Sequence, residues 1–246
     1  MTKDLAGRIA VVTGASRGIG RAAALAFARA GAHVVAVART QGALEELDDA
    51  IRAEGGSATL VPLDLKDFDG IDRLGGALHE RWGKVDVLLI NGAVLGPITP
   101  LGHVAPKEWD AVIATNVTAT WRLIRSFDPL LRASDAGRAL LVTSGASWKR
   151  NAYWGPYSVS KAAVDALGQT WAAETAATSV RVMMVNPGPL RTRMREQAMP
   201  GEDPMTLETP EDLAPHLVTL ASQSWTQSGM LFDFPTRSVL AFRPPS

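Results

Sequence analysis

Residues 151–161 read NAYWGPYSVSK, and both tyrosines of the chain, Tyr153 and Tyr157, fall inside this stretch. Gly155-Pro156 marks the start of a helix, because proline is tolerated in the first helical turn. Tyr157 and Lys161 are then i and i+4 on one helical face. A free phenol titrates near pH 10, so proton exchange near pH 7 needs a drop of about two to three units, or roughly 3–4 kcal/mol. An ammonium about 5 Å away, at an effective dielectric of about 20, supplies roughly 3 kcal/mol. The spacing makes Tyr157 a candidate proton donor and acceptor, with Lys161 as its electrostatic partner. Tyr153 has no lysine four residues on, and Lys149, four residues before it, falls in the loop ahead of the helix. Tyr153 is therefore assigned to a pocket wall. Upstream, Leu141-Val142-Thr143-Ser144 ends a strand, and the Ser144 hydroxyl is able to hold a carbonyl oxygen beside the phenol. The plainer alternatives are a turn-forming hydroxyl at Ser144 and an ordinary half-buried aromatic at Tyr157.

A second cluster lies at residues 13–20, TGASRGIG, between an apolar run and an alanine-rich segment. Gly14, Gly18 and Gly20 allow a tight turn and close approach of the backbone to a ligand. The helix that follows offers unpaired N–H groups to a pyrophosphate, so Ser16, Arg17 and Ile19 join the glycines as candidate cofactor contacts. The same residues satisfy G-x-S-x-G, the nucleophile-elbow pattern of serine hydrolases. Context rejects that reading. Only one strand precedes the turn, His216 lies inside an expected helix, and His103 has no motif around it. At the end of the second strand, where an acid would bind the ribose diol of NAD, the chain reads Val37-Ala38-Arg39-Thr40. Arg39, with Arg17 opposite, suits a 2′-phosphate. NADP(H) is expected in preference to NAD(H), the alternative being a solvated Arg39. Asp64-Leu65 ends the third strand, and Asp64 is either an adenine contact or a helix cap.

These residues require a frame. Apolar runs at 8–13, 32–38, 58–62, 85–90, 139–143 and 180–185 alternate with helical patterns at 18–30, 43–54, 68–82, 109–131 and 156–175. Thr209-Pro210-Glu211-Asp212 opens a further helix to about residue 221, and a last strand is expected near 230–234. Continuous apolar strands between helices predict one domain: an α/β, doubly wound parallel sheet with helices on both faces and ligands at the carboxyl ends of its strands.

The chain carries 25 basic and 25 acidic residues and no long like-charged block, which argues against nucleic acid as a partner. Apolar runs are too short to span a bilayer. The four histidines (His33, His79, His103, His216) show no ligand spacing, so no metal is expected. With no cysteine and no signal-like apolar run in MTKDLAGRIAVV, a cytoplasmic protein is expected.

Taken in order, residues 13–20, Asp64, Asn91, Asn116 in ATNVT, Ser144, Tyr157-x-x-x-Lys161 and NPGPLRT (186–192) resemble the short-chain dehydrogenase/reductase family over nearly the whole chain. The resemblance implies a Rossmann fold and an NADP(H)-dependent interconversion of carbonyl and alcohol, with Tyr157 as general acid/base. It implies that Lys161 also grips the nicotinamide ribose, that Asn116 holds a water in a relay behind Lys161, and that Pro187, Gly188, Leu190 and Thr192 border the nicotinamide. Asn91 and Gly92 fall in the cofactor site on the same ground. A glycosylation sequon at Asn116-Val117-Thr118 is dismissed by the cytoplasmic expectation. Where the family commonly reads Asn-Asn-Ala-Gly, this chain reads Ile90-Asn91-Gly92-Ala93, which removes a sheet-stabilising hydrogen bond. The ending GMLFDFPTRSVLAFRPPS lacks the family's Val-Asp-Gly-Gly, which puts a tetramer in doubt. A homodimer through the helices at 109–131 and 156–175 is implied. The segment INGAVLGP resembles a little-characterised bacterial branch of the family.

Residues 193–209 hold three methionines, two prolines and a glycine, and are read as a mobile lid. Leu95, Ala146, Trp148, Tyr153, Trp154 and Met194 make an expected apolar substrate pocket. Arg193 or Arg195 meets an acidic substrate or faces solvent. The alternative to the enzyme is a catalytically silent NADP(H)-binding sensor of the same fold.

Overall fold

β-Branched and aliphatic residues fill the strands without alternation, so both faces of the sheet must be covered. The computed structural model describes residues 3–242. Parallel strands β1 (Ile9–Thr13), β2 (His33–Ala38), β3 (Ser57–Pro62), β4 (Val87–Ile90), β5 (Arg138–Val142), β6 (Arg181–Asn186) and β7 (Met230–Asp233) are joined by the antiparallel β8 (Ser238–Ala241). Their order is β3-β2-β1-β4-β5-β6-β7-β8. Nine α-helices lie among the described residues: α1 (Gly18–Arg29), α2 (Gln41–Ala53), α3 (Phe68–Trp82), α4 (Pro106–Ile113), α5 (Ala119–Arg132), α6 (Ala146–Lys149), α7 (Gly155–Glu174), α8 (Arg193–Ala198) and α9 (Pro210–Ala221). None of them is long and apolar enough to cross a membrane.

The strand faces sort the helices. Val12, Val34 and Leu89 pack with Phe27 of α1, Leu44 and Leu47 of α2 and Leu217 of α9. Val11, Val35 and Leu88 point the other way, onto Ile71 of α3, Leu123 and Phe127 of α5 and Trp171 of α7. Each such side chain contributes roughly 1.5–3 kcal/mol by leaving water. Strand order reverses where β1 lies between β2 and β4, which opens a crevice at the carboxyl ends of those strands.

The α/β architecture matches the sequence expectation, and the departures are local. The helix expected over 109–131 starts at Pro106 and is interrupted by a π-helical turn, Ala114–Thr118. The wide turn coincides with Asn116, whose carboxamide is held by the backbone of Val94 on both sides: Nδ2 donates to the Val94 carbonyl (2.8 Å) and Oδ1 accepts its N–H (2.9 Å). Such bulges frequently sit at functional sites. The expected strand at 230–234 ends at Asp233, and β8, not expected at all, follows it. The turn between them places Arg237 in the left-handed region (φ 53°), without the Asn-Gly or Asp-Gly signature that usually announces a hairpin. Residues 193–209, expected to form a lid, contain α8 and a 3₁₀ turn, Pro204–Thr206. The helix expected to open at Thr209 does so, with a capping box between Thr209 and Asp212. Residues 1–2 of the N-terminal stretch and 243–246 of the unusual ending lie outside the described residues.

Candidate active site

The crevice is a cleft of about 820 Å³, within the range of about 300–1,000 Å³ typical of small-molecule sites. One end is built from main chain. Gly14 (φ 66°) and Gly18 (φ 54°) take the left-handed conformation that the β1–α1 turn requires. A Cβ on Gly14 would stand 2.8 Å from the Cα of Gly92, and one on Gly20 only 2.2 Å from the Gly14 carbonyl oxygen. No side chain caps α1, so its first N–H groups remain available to an anion. The tips of β1 and β4 are joined in spite of Ile90. Thr13 Oγ1 accepts the N–H groups of Asn91 (3.0 Å) and Gly92 (3.2 Å), and Asn91 Nδ2 donates to the Thr13 carbonyl (3.0 Å).

Gly14, Ser16, Arg17, Gly18 and Ile19 line this end, together with Arg39, Asp64, Leu65, Asn91 and Gly92. Gly20, also expected among the cofactor contacts, does not line the cleft: it packs beneath the turn, against the Gly14 carbonyl. Arg17 and Arg39 are exposed on the rim, with no ion-pair partner among the described residues. Asp64 is not the cap of α3. That role falls to Asp67, which accepts the Gly70 N–H at 2.9 Å, while Asp64 accepts the N–H of Lys66.

The other end is built from side chains. Ser144 follows β5, and Tyr157 and Lys161 project from α7 into the same wall. The Lys161 Nζ lies 5.6 Å from the Tyr157 ring centroid and donates to the Val142 carbonyl at 2.8 Å. Both side chains are buried. Burial pushes the Tyr157 phenol up to about 12, with the Ser144 hydroxyl pulling the other way. Burial brings the Lys161 ammonium down to about 8, opposed by the charge of Asp165 one helical turn on. Within the protein alone, then, the phenol keeps its proton. Desolvation sets the upward direction, and of the neighbouring groups the Ser144 hydroxyl is the one that opposes it.

Asn116 is buried behind this wall and does not line the cleft. Beyond its bonds to Val94, its Nδ2 donates to Ser160 Oγ at 3.0 Å, and the Ser160 hydroxyl donates to the Tyr157 carbonyl at 2.8 Å. Pro187, Gly188, Leu190 and Thr192 line the cleft. The Thr192 hydroxyl is engaged locally, accepting the Arg195 N–H (3.2 Å) and facing the Leu190 carbonyl (3.3 Å).

Of the expected pocket residues, Leu95, Ala146, Trp154 and Met194 line the cleft, and Trp148 and Tyr153 do not. Trp148 is 42% exposed and Tyr153 57% exposed, with Tyr153 held at φ 74°. Tyr157 meets Trp154 instead, ring centroids 6.1 Å apart and edge to face. Sequence reasoning missed three neighbours. Asn186 accepts the Gly145 N–H (2.9 Å) and the Gly188 N–H (3.2 Å), clipping the two loops together. Asp165 is buried with an unpartnered Oδ1, and its i,i+4 spacing from Lys161 was the available signal. Lys149 ends the short helix α6 and lines the cleft, where a loop was expected. Among the described residues no cluster of His, Cys, Asp or Glu has metal-holding geometry.

Residues 8–203 match the family described as short chain dehydrogenase. The Uncharacterized oxidoreductase YciK of Escherichia coli K12 is 36% identical over 230 residues, 92% of this chain and 91% of its own length. An uncharacterized NAD-dependent oxidoreductase of Mycobacterium tuberculosis is 34% identical over 207 residues, 78% of this chain and 75% of its own. A solved structure from Shigella flexneri 2a, complexed with NADP, superposes with a TM-score of 0.90 at 35% identity, covering 96% of this chain and all of that one (100%). With strand order, crevice and sequence in agreement, the chain belongs to the short chain dehydrogenase family of oxidoreductases.

Proposed function

We propose that the protein is an NADP(H)-dependent oxidoreductase that interconverts a ketone or aldehyde and an alcohol. The observation that carries this reading is the convergence of Ser144, Tyr157 and Lys161 on one wall of a cleft whose far end is an uncapped helix N-terminus. The residues present fit a dinucleotide phosphate. The first N–H groups of α1 suit the pyrophosphate, and Arg17 and Arg39 suit a 2′-phosphate where Ala38 leaves no carboxylate. When bound, the nicotinamide supplies the hydride to the carbonyl carbon in its reduced form and a positive charge in its oxidised form.

The chain's own groups handle the oxygen. The Ser144 hydroxyl donates to the carbonyl oxygen and fixes it beside Tyr157. A phenol pushed up to about 12 holds its proton at neutral pH, the form needed for reduction. Tyr157 passes that proton to the oxygen as the carbon is reduced, and water restores it. In the reverse direction Tyr157 accepts the alcohol proton, helped by any positive charge that Lys161 retains. Asn116 acts from behind by fixing the π turn against Val94 and Ser160.

Two further readings go with this one. The segment 193–209 is a substrate lid, stapled by the Arg195–Glu202 pair and by Arg191 donating to the Pro204 carbonyl. A homodimer would cover Trp121 of α5 and Val159 of α7, exposed at 47% and 45%.

The test is turnover of a panel of ketones and aldehydes with NADPH, with Tyr157→Phe as control. NADPH binding without turnover anywhere in a broad panel would favour the silent sensor. The relative named NAD-dependent makes cofactor preference a separate measurement. Arg39→Ala is expected to lower the NADPH-over-NADH preference about tenfold, the worth of one charge-assisted contact. An unchanged ratio refutes the role of Arg39.

A further inference from the structure

The charges that line the cleft do not reflect the composition of the chain. Overall, 25 basic residues balance 25 acidic ones, yet the cleft wall carries seven cations and a single carboxylate, Asp64. Asp64 stands at the end occupied by the β1–α1 turn, so no acid lines the catalytic end.

Most of the seven have partners or a role. Arg17 and Arg39 flank the glycine turn, where the cofactor reading uses them. Lys161 is bound to the Val142 carbonyl. Arg191 donates to the Pro204 and Leu207 carbonyls, and Arg195 forms a two-point pair with Glu202, both bonds 2.6 Å. Lys149 and Arg193 remain, with no side-chain hydrogen bond and no ion pair among the described residues. The charges within this one segment are thus unequal: Arg195 is neutralised by Glu202 and Arg193 is not.

Lys149 is also placed. Its stem lies along Gly145, the residue after Ser144: a methyl added to Gly145 would stand 3.6 Å from Lys149 Cε and 3.7 Å from Cδ. The helix that carries it ends at Arg150 (φ 49°), and the following loop is fixed by Tyr153, whose carbonyl accepts the Thr99 N–H at 3.1 Å. The exposed side chain of Lys149 thus runs past Gly145, the residue next to the hydroxyl assigned to the carbonyl oxygen. Leu95, Trp154 and Met194 supply apolar wall to the same cleft.

We propose that the substrate carries an anionic group, a carboxylate or a phosphate ester, on the same molecule as its carbonyl, and that Lys149 binds this group with Arg193 as the second cation. The inference rests on the carbonyl-reductase reading for the position of the carbonyl. An ammonium and a guanidinium without protein partners recruit an anion through charge-assisted hydrogen bonds, and a neutral analogue leaves them unpaired.

Matched pairs test it: 4-oxopentanoate against its methyl ester, and dihydroxyacetone phosphate against dihydroxyacetone. Both kcat/KM with NADPH and calorimetric affinity with NADP⁺ present are measured at low salt. The acid or phosphate is expected to exceed its neutral partner by about 10- to 100-fold in at least one pair, which identifies the group. Lys149→Gln should cut that ratio about tenfold, and Lys149→Gln combined with Arg193→Gln should bring it close to one. A wild-type ratio near one in both pairs, by both measurements, overturns the proposal, as does a ratio that survives the double substitution. Anion-selective binding without turnover upholds the anion site and sinks the reductase reading. Turnover of ketones without anion selectivity does the reverse.

Discussion

The two ends of the cleft are built from different materials. At the glycine turn the functional atoms are main-chain N–H groups, and their placement depends on what is absent: Gly14 and Gly20 leave room that a single methyl would fill with backbone contacts of 2.8 and 2.2 Å. At the end where we propose the chemistry takes place, the atoms are the side chains of Ser144, after β5, and of Tyr157 and Lys161 on α7, and burial shifts the protonation of the last two. The first end has no room for added volume at Gly14 or Gly20. The second tolerates shape changes but not loss of a particular atom. Substitutions that separate these two sensitivities are therefore the sharpest tests.

The largest effect is expected from Tyr157→Phe, which removes one oxygen and leaves the ring against Trp154. kcat should fall by about 10²–10⁴-fold, the usual worth of a general acid, with NADPH affinity within about threefold of wild type. Parallel losses in both would mean that the two ends are not independent.

Gly20→Ala attacks the other end. Its Cβ would press on the Gly14 carbonyl at 2.2 Å, which is backbone, and on Asn91 Nδ2 at 2.7 Å, which is tied to the Thr13 carbonyl. Denaturant unfolding should report a loss of about 3 kcal/mol, the upper part of the usual range for overpacking, together with weaker NADPH binding. Gly76→Ala is the control. Gly76 lies inside α3 with nothing within 4 Å of an added Cβ, so the same change there should stabilise by about 0.5–1 kcal/mol through helix propensity. Equal effects at the two glycines would dissolve the contrast.

The same difference in materials decides what the sequence reveals. The turn is one contiguous stretch, residues 13–20, whose glycine spacing, preceding strand and following helix all sit in a single window. Parallel strands read as apolar runs, and Thr209-Pro210 with Asp212 announced α9 through purely local capping. The catalytic end draws on residues 116, 144 and 157–161, far apart in sequence. Tyr157, Lys161 and Ser144 were visible because spacing and strand position suggested them. Burial was not visible. Spacing alone implied that Lys161 lowers the phenol, whereas desolvation of both groups runs the other way. β8 escaped because its turn uses an arginine where glycine or asparagine is usual, and the π turn because Asn116 is pinned by a residue 22 positions away.

Lys161→Met tests that electrostatic correction in the ligand-free protein. Folded Lys161 sheds its proton near pH 8, against about 10.4 in an unfolded chain. Between those values the unfolded chain binds more protons, so stability rises with pH. Wild type should gain about 2–3 kcal/mol relative to Lys161→Met between pH 8 and pH 10, read from urea unfolding at each pH. Tyr157 contributes the opposite slope only above about pH 10, toward its folded value near 12, and it is present in both proteins. A flat difference would show that the lysine charge is compensated by Asp165 more fully than burial penalises it.

The smallest effect belongs to the aromatic residues that sequence alone grouped as one pocket. Trp154 lines the cleft, while Tyr153, its neighbour, points away and is 57% exposed. Tyr153 also sits at φ 74°, a region in which a bulky side chain is strained by about 1 kcal/mol or more. Its carbonyl, not its ring, is what ties the loop to Thr99. Tyr153→Gly should therefore keep KM for any accepted ketone within about twofold and leave the melting temperature unchanged or slightly higher, since relief of strain offsets the freer unfolded chain. Trp154→Ala should raise KM about tenfold by removing apolar wall next to the phenol. The comparison turns on which of two adjacent rings faces the reacting oxygen. If Tyr153→Gly raised KM as much as Trp154→Ala, the loop at 150–153 would have to fold inward over the substrate, and the catalytic end would extend past the wall described above.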